Sequence, residues 1–460
     1  MDKILIKEIV AWTGGKLLNG DPGAEALSFS IDSRTLKPGA LFVAIKGDNY
    51  DGHSFIKNLG GLNALGAVVS KETEGLTVLK AAVLVEDTTK ALKQIAAGYL
   101  TRLNTLKVAG VTGSNGKTTV KDILWNILSL SVKTHKPKGS FNNEIGLPLT
   151  VLGTDSSYQA LVLEYGTNHP GELERLTAVA KPDVAAITNI GTAHIGFFKS
   201  RENILKEKWT LLENLRPGGV AVINLDDALI AGNKSSLKGR LITFSVQKAA
   251  DVSAENIKEL NEGGTVFTLN LGGKKEEVKI KLLGLHNVSN ALCAAALASG
   301  LAPDIKMIAK GLEEFIAVSA HRLSASVVNG IKILDDAYNA NPDSMKRGIY
   351  ALLGFTAKKR VLVLGEMAEL GEFAETLHGE IGKEAAKNNI DALVVTGPTG
   401  AWYKKGALAA GMNEEKIFLF ENNFSAGEFL KGFLREGDAV LIKGSRRAGM
   451  EKIVEIVRTK

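Results

Sequence analysis

Only one cysteine, Cys293, occurs in the 460 residues, inside the alanine-rich run NALCAAALASG, so no internal disulfide can form. That excludes a disulfide-stapled scaffold and points to a reducing compartment. No stretch approaches the roughly 18 apolar residues of a membrane span. The opening MDKILIKEIVAWTGG mixes charged and apolar residues and lacks the apolar core of a secretory signal. The expected location is therefore cytoplasmic, with no membrane insertion. Blocks of five or more like charges are absent too, which removes the basic clusters typical of nucleic-acid binders. The mild excess of cation, net charge +6, suits an anionic small substrate as well as a solvated surface. No fixed-period repeat or low-complexity segment is present.

What remains is ordinary globular composition, 45% hydrophobic and 23% charged, in a chain long enough for about three domains of roughly 150 residues. The first eighty or so residues alternate short apolar runs with Gly, Asp and Asn turns, a small α/β unit. TTKALKQIAAGYLTRL, residues 88–103, places Leu92, Ile95, Ala96, Tyr99 and Leu100 on one helical face. From Lys107 the runs KVAGVT, ALVLEYG, VAAITNIG and VAVINL recur between helical segments, the pattern of a doubly wound parallel sheet. GTVFTLNLGGKKEEVKIKLLG reads as an antiparallel hairpin turning at Gly272 and Gly273, and an Ala-rich helix follows from Asn287. RVLVLGE, ALVVTG, KIFLF and DAVLIKG then mark a second α/β layer fold.

The stretch GVTGSNGKTTVKDIL carries the clearest chemistry. It is not the common G-x-x-x-x-G-K-[ST] loop, because Val111 stands where the first glycine belongs. Its context is nonetheless that of a phosphate loop. A strand candidate precedes it, Gly113 and Gly116 let backbone N–H groups turn inward, and Val120, Ile123, Leu124, Ile127 and Leu128 follow at helical spacing. In this reading Gly113, Ser114, Asn115, Gly116 and Thr119 cradle phosphate, Lys117 contacts the β- and γ-phosphates of ATP, and the Thr118 hydroxyl holds Mg²⁺.

Ligands of open α/β sheets bind beyond the carboxyl ends of the strands. Glu164 follows four apolar residues directly, and His194 lies in the loop after the next buried run. If both strands neighbour the phosphate-loop strand, the two side chains converge on the phosphates as magnesium ligands. On the residues alone the plainer alternatives weigh more: a loop carboxylate in water for Glu164, a structural histidine for His194, and a solvated helical lysine for Lys208. The amides of HNVSNAL, Asn287 and Asn290, could cap a helix or meet a nucleotide base. ILDDAYNANPDS puts two aspartates at a strand end before an Asn-Pro turn, where the density of Asp, Tyr and Asn argues for a site and helix capping is the alternative.

Together these pieces resemble the Mur ligase family, ATP-dependent amide-forming enzymes of peptidoglycan precursor synthesis. The similarity runs through the whole chain in order: TGSNGKTT, SFNNEIGLP, LEYGTNHPGE, TNIGTAHIGFF, EKWTLL, LGLHNVSNALCAAA, HRL, DDAYNANPDS, LGEMAELG and KGSR. The family writes its loop as T-G-x-N-G-K-[ST], so Val111 is no defect. The resemblance implies an α/β fold of three domains. Residues 1–84 would bind a UDP substrate, and residues 85–314 would form a central P-loop ATPase domain on a doubly wound, mostly parallel sheet. Residues 315–460 would form a Rossmann-like domain that binds a dipeptide and closes on ATP.

The implied reaction joins D-alanyl-D-alanine to UDP-N-acetylmuramoyl-tripeptide through an acyl phosphate, with ATP consumed and two Mg²⁺ ions as cofactors. Its partners are small molecules only, with no nucleic acid, and a monomer is expected. Residue by residue, the resemblance gives Lys117 and Thr118 to phosphate and metal, and Glu164 and His194 to magnesium. It gives Lys208 to a carbamylated lysine, Asn287 and Asn290 to the nucleotide, and Arg322, Asp336, Tyr338, Asn339 and Asn341 to the ATP cleft. Ser33, Arg34, Asn142 and Asn143 would hold the UDP-sugar. Tyr165 and Ala337 depart from the residues frequent in relatives, Met and Ser, without removing a charged group. Rival readings are a family member that adds a single amino acid, folylpolyglutamate synthase, and a P-loop switch or nucleic-acid motor. An N-terminal UDP domain speaks against the folate enzyme, and the scattered charges speak against the motor.

Overall fold

Strands rich in Val, Ile, Leu and Ala bury both faces only when helices cover both sides of their sheet, and the chain supplies helices between most of them. The computed structural model describes residues 1–47, 49–260, 264–301, 304–316, 321 and 323–459. Among these the fold is α/β, with sheets of nine, six, five and two strands. Contacts divide the chain into two units: Met1–Thr167, Gly171–Thr188 and Lys206–Phe315 in the first, and Asn168–Pro170, Asn189–Leu205 and Ile316–Lys460 in the second.

In the first unit the five-stranded sheet runs in the order Lys16–Gly20, Ala81–Leu84, Gly66–Val69, Ala40–Val43, Ser28–Ser30, and only its first strand pairs antiparallel. The helix Thr88–Leu100 starts at Asp87, whose carboxylate accepts from the N–H groups of Thr89 and Lys90. It ends short of the expected Leu103, because turns through Arg102 and Leu103 carry the chain toward the next strand.

The nine-stranded sheet places Lys107–Thr112 between Ala160–Glu164 and Val184–Ile187, all parallel, so the two strand ends expected beside the phosphate loop are indeed its neighbours. Glu164 pairs in register with Val111, and Ile187 with Thr112. The hairpin Thr265–Leu271 and Lys274–Ile280 turns at Gly272 and Gly273 as expected and adds antiparallel strands to one edge. The helix Leu285–Gly300 begins two residues before Asn287, and every residue from Ala291 to Ala298 is buried, as in a helix covered all round. Burial there pushes the Cys293 thiol well up, which leaves it an inert core residue.

The second unit holds the six-stranded sheet in the order Ser324–Val328, Ile331–Asp336, Ala439–Lys443, Arg360–Leu364, Ala392–Thr396, Ile417–Phe420. All neighbours but the first pair are parallel. Its register sets Asp336 opposite Lys443. No helix among the described residues is long and apolar enough to cross a membrane.

Candidate active site

The phosphate loop is built by backbone that only glycine accommodates. Gly113 has φ +146°, and a Cβ there would lie 1.9 Å from the Thr188 hydroxyl. Gly116 has φ +83°, and its Cβ would meet the Asn290 carboxamide at 2.3 Å. The helix Lys117–Ser129 starts immediately after, so its first N–H groups and the positive end of its dipole face the loop. The Lys117 ammonium folds back to donate to the Gly113 carbonyl at 2.7 Å. The close fit at Gly116 puts Asn290 against the loop. Asn290 donates to Asn287 at 3.1 Å, and Asn287 to the Leu283 carbonyl at 2.8 Å.

Glu164 is not the solvated carboxylate that its position allowed. It is 2% exposed, with one oxygen accepting from the Thr118 hydroxyl at 2.9 Å and the other from the Asn142 amide at 2.7 Å. Asn142 thus meets Glu164 directly, and the Asn143 carboxamide accepts from the N–H groups of Ile145 and Gly146. Among the described residues no three or more His, Cys, Asp or Glu side chains gather into a metal site. One buried carboxylate and one hydroxyl at a phosphate loop fit magnesium, which takes most of its oxygens from phosphate and water.

Lys208, likewise, is no surface lysine. It is 1% exposed and makes no hydrogen bond or ion pair with the described residues. Burial holds its amine far below the ordinary lysine range, and repulsion from Lys117 adds to this against the pull of Glu207 and Glu172. A lowered pKa enlarges the share of the neutral amine, the form of a lysine that is nucleophilic. Glu207, which sequence reasoning passed over, accepts from the Thr167 hydroxyl at 3.1 Å and from the N–H groups of Gly171 and Leu173 at 2.7 and 2.8 Å. It therefore caps the helix Glu172–Val179 from a distant part of the chain. No local spacing signals that contact.

In the second unit, Asp336 is engaged by the buried Lys443 ammonium and by the Leu323 N–H, and Lys443 also donates to the Asn339 carbonyl at 3.0 Å. Asn341 caps the helix Pro342–Leu353 in a reciprocal pair with Ser344. The Tyr338 N–H donates to the His321 carbonyl. Arg322 lies outside the described residues.

His194 also belongs to this unit, with φ +61° at the start of the short helix Ile195–Phe198. Its Nδ1 meets the Glu369 carboxylate, and that contact holds Glu369 below the usual carboxylate range. The backbone approaches closely beside it: the Gly196 N–H donates to the Glu369 carbonyl at 3.0 Å, and a Cβ on Gly196 would strike the Gly371 nitrogen at 2.6 Å. Pairing at Nδ1 fixes the orientation of the imidazole ring. In the first unit, Ser33 starts the short turn Ser33–Thr35, and Arg34 extends into solvent paired with Asp32 at 2.7 Å, which lowers the Asp32 carboxyl to about 2.

A phosphate-loop strand flanked by a buried acidic strand end, in a chain with a second parallel α/β sheet, defines an ATP-using enzyme class. Family descriptions match nearly end to end: "Mur ligase family, catalytic domain" over residues 28–100, "Mur ligase middle domain" over 111–298 and "Mur ligase, glutamate ligase domain" over 321–446. The chain belongs to the Mur ligase family. It is 35% identical to the UDP-N-acetylmuramoyl-tripeptide–D-alanyl-D-alanine ligase of Bacillus subtilis, covering 99% of this chain and 98% of that one. Among solved structures, MurF from Acinetobacter baumannii superposes with TM-score 0.92 at 30% identity over 100% of both chains. MurF ligase from Thermotoga maritima in complex with ADP gives 0.82 at 28% identity, over 94% of this chain and 97% of that one.

Proposed function

We propose that this protein is an ATP-dependent ligase that joins D-alanyl-D-alanine to UDP-N-acetylmuramoyl-tripeptide, releasing ADP and phosphate, in peptidoglycan precursor synthesis. The observation that carries the reading is the Glu164–Thr118 pair at the phosphate loop, in a chain whose whole length aligns with a ligase of that name. The tripeptide carboxylate attacks the γ-phosphorus of ATP, giving an acyl phosphate and ADP. The dipeptide amine then adds to the acyl carbon, loses a proton and expels phosphate.

The loop N–H groups and Lys117 neutralise phosphate charge as the anions approach. Magnesium, when bound, supplies further charge neutralisation at the phosphate oxygens. Glu164 and His194 are its protein ligands in this reading. Lys208 would add CO₂ through its neutral amine form and lose a proton to become an anionic carbamate, a further metal ligand or a positioning group. Asn287, Asn290, Arg322, Asp336, Tyr338, Asn339 and Asn341 serve ATP, and Ser33, Arg34, Asn142 and Asn143 the UDP-sugar. Residues 1–84, 85–314 and 315–460 divide the binding of UDP substrate, ATP and dipeptide among them. The protein acts as a cytoplasmic monomer.

The test is phosphate release from ATP and Mg²⁺ with UDP-N-acetylmuramoyl-tripeptide, with and without D-alanyl-D-alanine. Turnover that needs both substrates and is lost in Lys117→Ala is expected. Equal release without the dipeptide, or turnover only with a single amino acid or a folate, would reject the reading.

A further inference from the structure

We propose that Lys121 is a positioning residue that acts through Asn142 on Glu164. Lys121 lies one turn beyond Lys117 on the phosphate-loop helix and is 1% exposed. A buried ammonium is costly to desolvate, and an apolar side chain of equal size would fill the same space, so its chemistry needs an explanation. Its Nζ donates to the Gly139 carbonyl at 2.9 Å and lies 3.4 Å from the Asp122 carboxylate.

The segment it grips is held along its length. Lys136 pairs with Asp122 at 2.8 Å and lies 4.0 Å over the Trp125 ring. At the other end Glu144 pairs with Lys93 at 2.9 Å and with Arg175. Between these anchors the Asn142 backbone donates to Ser140 and accepts from Gly166, both at 2.8 Å, and its amide reaches Glu164. A Cβ on Gly166 would lie 2.6 Å from the Asn142 carboxamide, so the approach leaves no slack. The phosphate-loop helix thus meets Glu164 directly through Thr118, while Lys121 anchors Gly139, three residues before Asn142, whose amide is a second path to the carboxylate. The second path fixes the oxygen that Thr118 does not hold.

This inference rests on the reading of Glu164 as part of the reacting site, so Glu164→Gln is the control. Full-length native protein, Lys121→Met, Asn142→Ala and the double variant are compared by steady-state phosphate release and by electron paramagnetic resonance titration of Mn²⁺ in the presence of ADP. Lys121→Met is expected to lower kcat about 10-fold, as a small displacement of a reacting group does. KM for the UDP-tripeptide should stay within about twofold and Mn²⁺ should bind severalfold more weakly. Asn142→Ala should lower kcat and weaken Mn²⁺ binding in the same way, and in both readouts the double variant should be no worse than the poorer single. Lys121→Arg, which keeps a charged donor, should recover part of the loss. If Lys121→Met does not fold, the cycle is run with Lys121→Gln.

Losses that multiply in the double variant, or a defect confined to KM for the UDP-tripeptide, would overturn the proposal in favour of an independent or direct substrate contact. If Glu164→Gln is active while Lys121→Met is impaired, the reading of the site fails instead.

Discussion

Lys121 and Lys208 lie in the same unit, each 1% exposed and each on a helix, yet they are opposite chemical objects. Lys121 has a carbonyl acceptor at 2.9 Å and a carboxylate at 3.4 Å. Lys208 has neither, with Lys117 as a nearby like charge, and its amine is driven far below the ordinary range. Burial alone therefore does not decide what a lysine does. An acceptor holds the ammonium form in place, and burial without one favours the neutral amine, the form that the proposed carbamylation needs.

The largest test of that contrast is Lys208→Ala, expected to lower kcat about 10³-fold, as removal of a transition-state electrostatic group does. With ¹³C-bicarbonate, NMR should show a carbamate signal in the native protein and in Lys121→Met, and none in Lys208→Ala; a signal surviving in Lys208→Ala would assign the carbamate elsewhere. Next, Lys117→Met removes the like charge near Lys208. Its amine pKa should rise, less neutral amine should remain at a given pH, and half-maximal carbamylation should move to higher pH. An unmoved midpoint would mean that Lys117 does not influence Lys208.

Smaller again, Glu207→Gln weakens the charged cap on Gly171 and Leu173, a loss of about 1–2 kcal/mol, read as a melting point lower by roughly 2–6 °C. The smallest effect concerns pH. Folded Lys208 is neutral where the unfolded chain binds a proton, so native stability rises with pH from the depressed pKa up to the ordinary lysine value of 10.5. In CO₂-free buffer Lys208→Met should raise the melting point at pH 7 by about 1–3 °C, and the gain should shrink as pH approaches 10. A gain independent of pH would mean that packing, not charge, is its source.

The phosphate loop was legible because strand, glycines and helix follow one another locally, and each constrains the next. The placement of Glu164 at a strand end was legible for the same reason, since an apolar run announces a strand and its end, and so was that of His194 in the loop after the next one, seven residues beyond Ile187. Their surroundings were not. The Thr118–Glu164 and Asn142–Glu164 bonds join residues 46 and 22 positions apart, and such pairings follow from sheet order rather than spacing. The helix around Lys208, SRENILKEKWTLLENL, carries charge on several faces, so the face that tertiary packing covers cannot be read from its periodicity. Asn341 illustrates the converse: its side chain does the capping that an Asn-Pro turn allows, alongside any contact with a nucleotide.

The most direct test of the ligase account follows the oxygen atoms. UDP-N-acetylmuramoyl-tripeptide carrying ¹⁸O in its terminal carboxylate is incubated with the protein, ATP, Mg²⁺ and D-alanyl-D-alanine, and the released phosphate is analysed by mass spectrometry. Attack of that carboxylate on the γ-phosphorus predicts one ¹⁸O in each phosphate formed. Phosphate free of label, with the tripeptide consumed, would contradict an acyl-phosphate route.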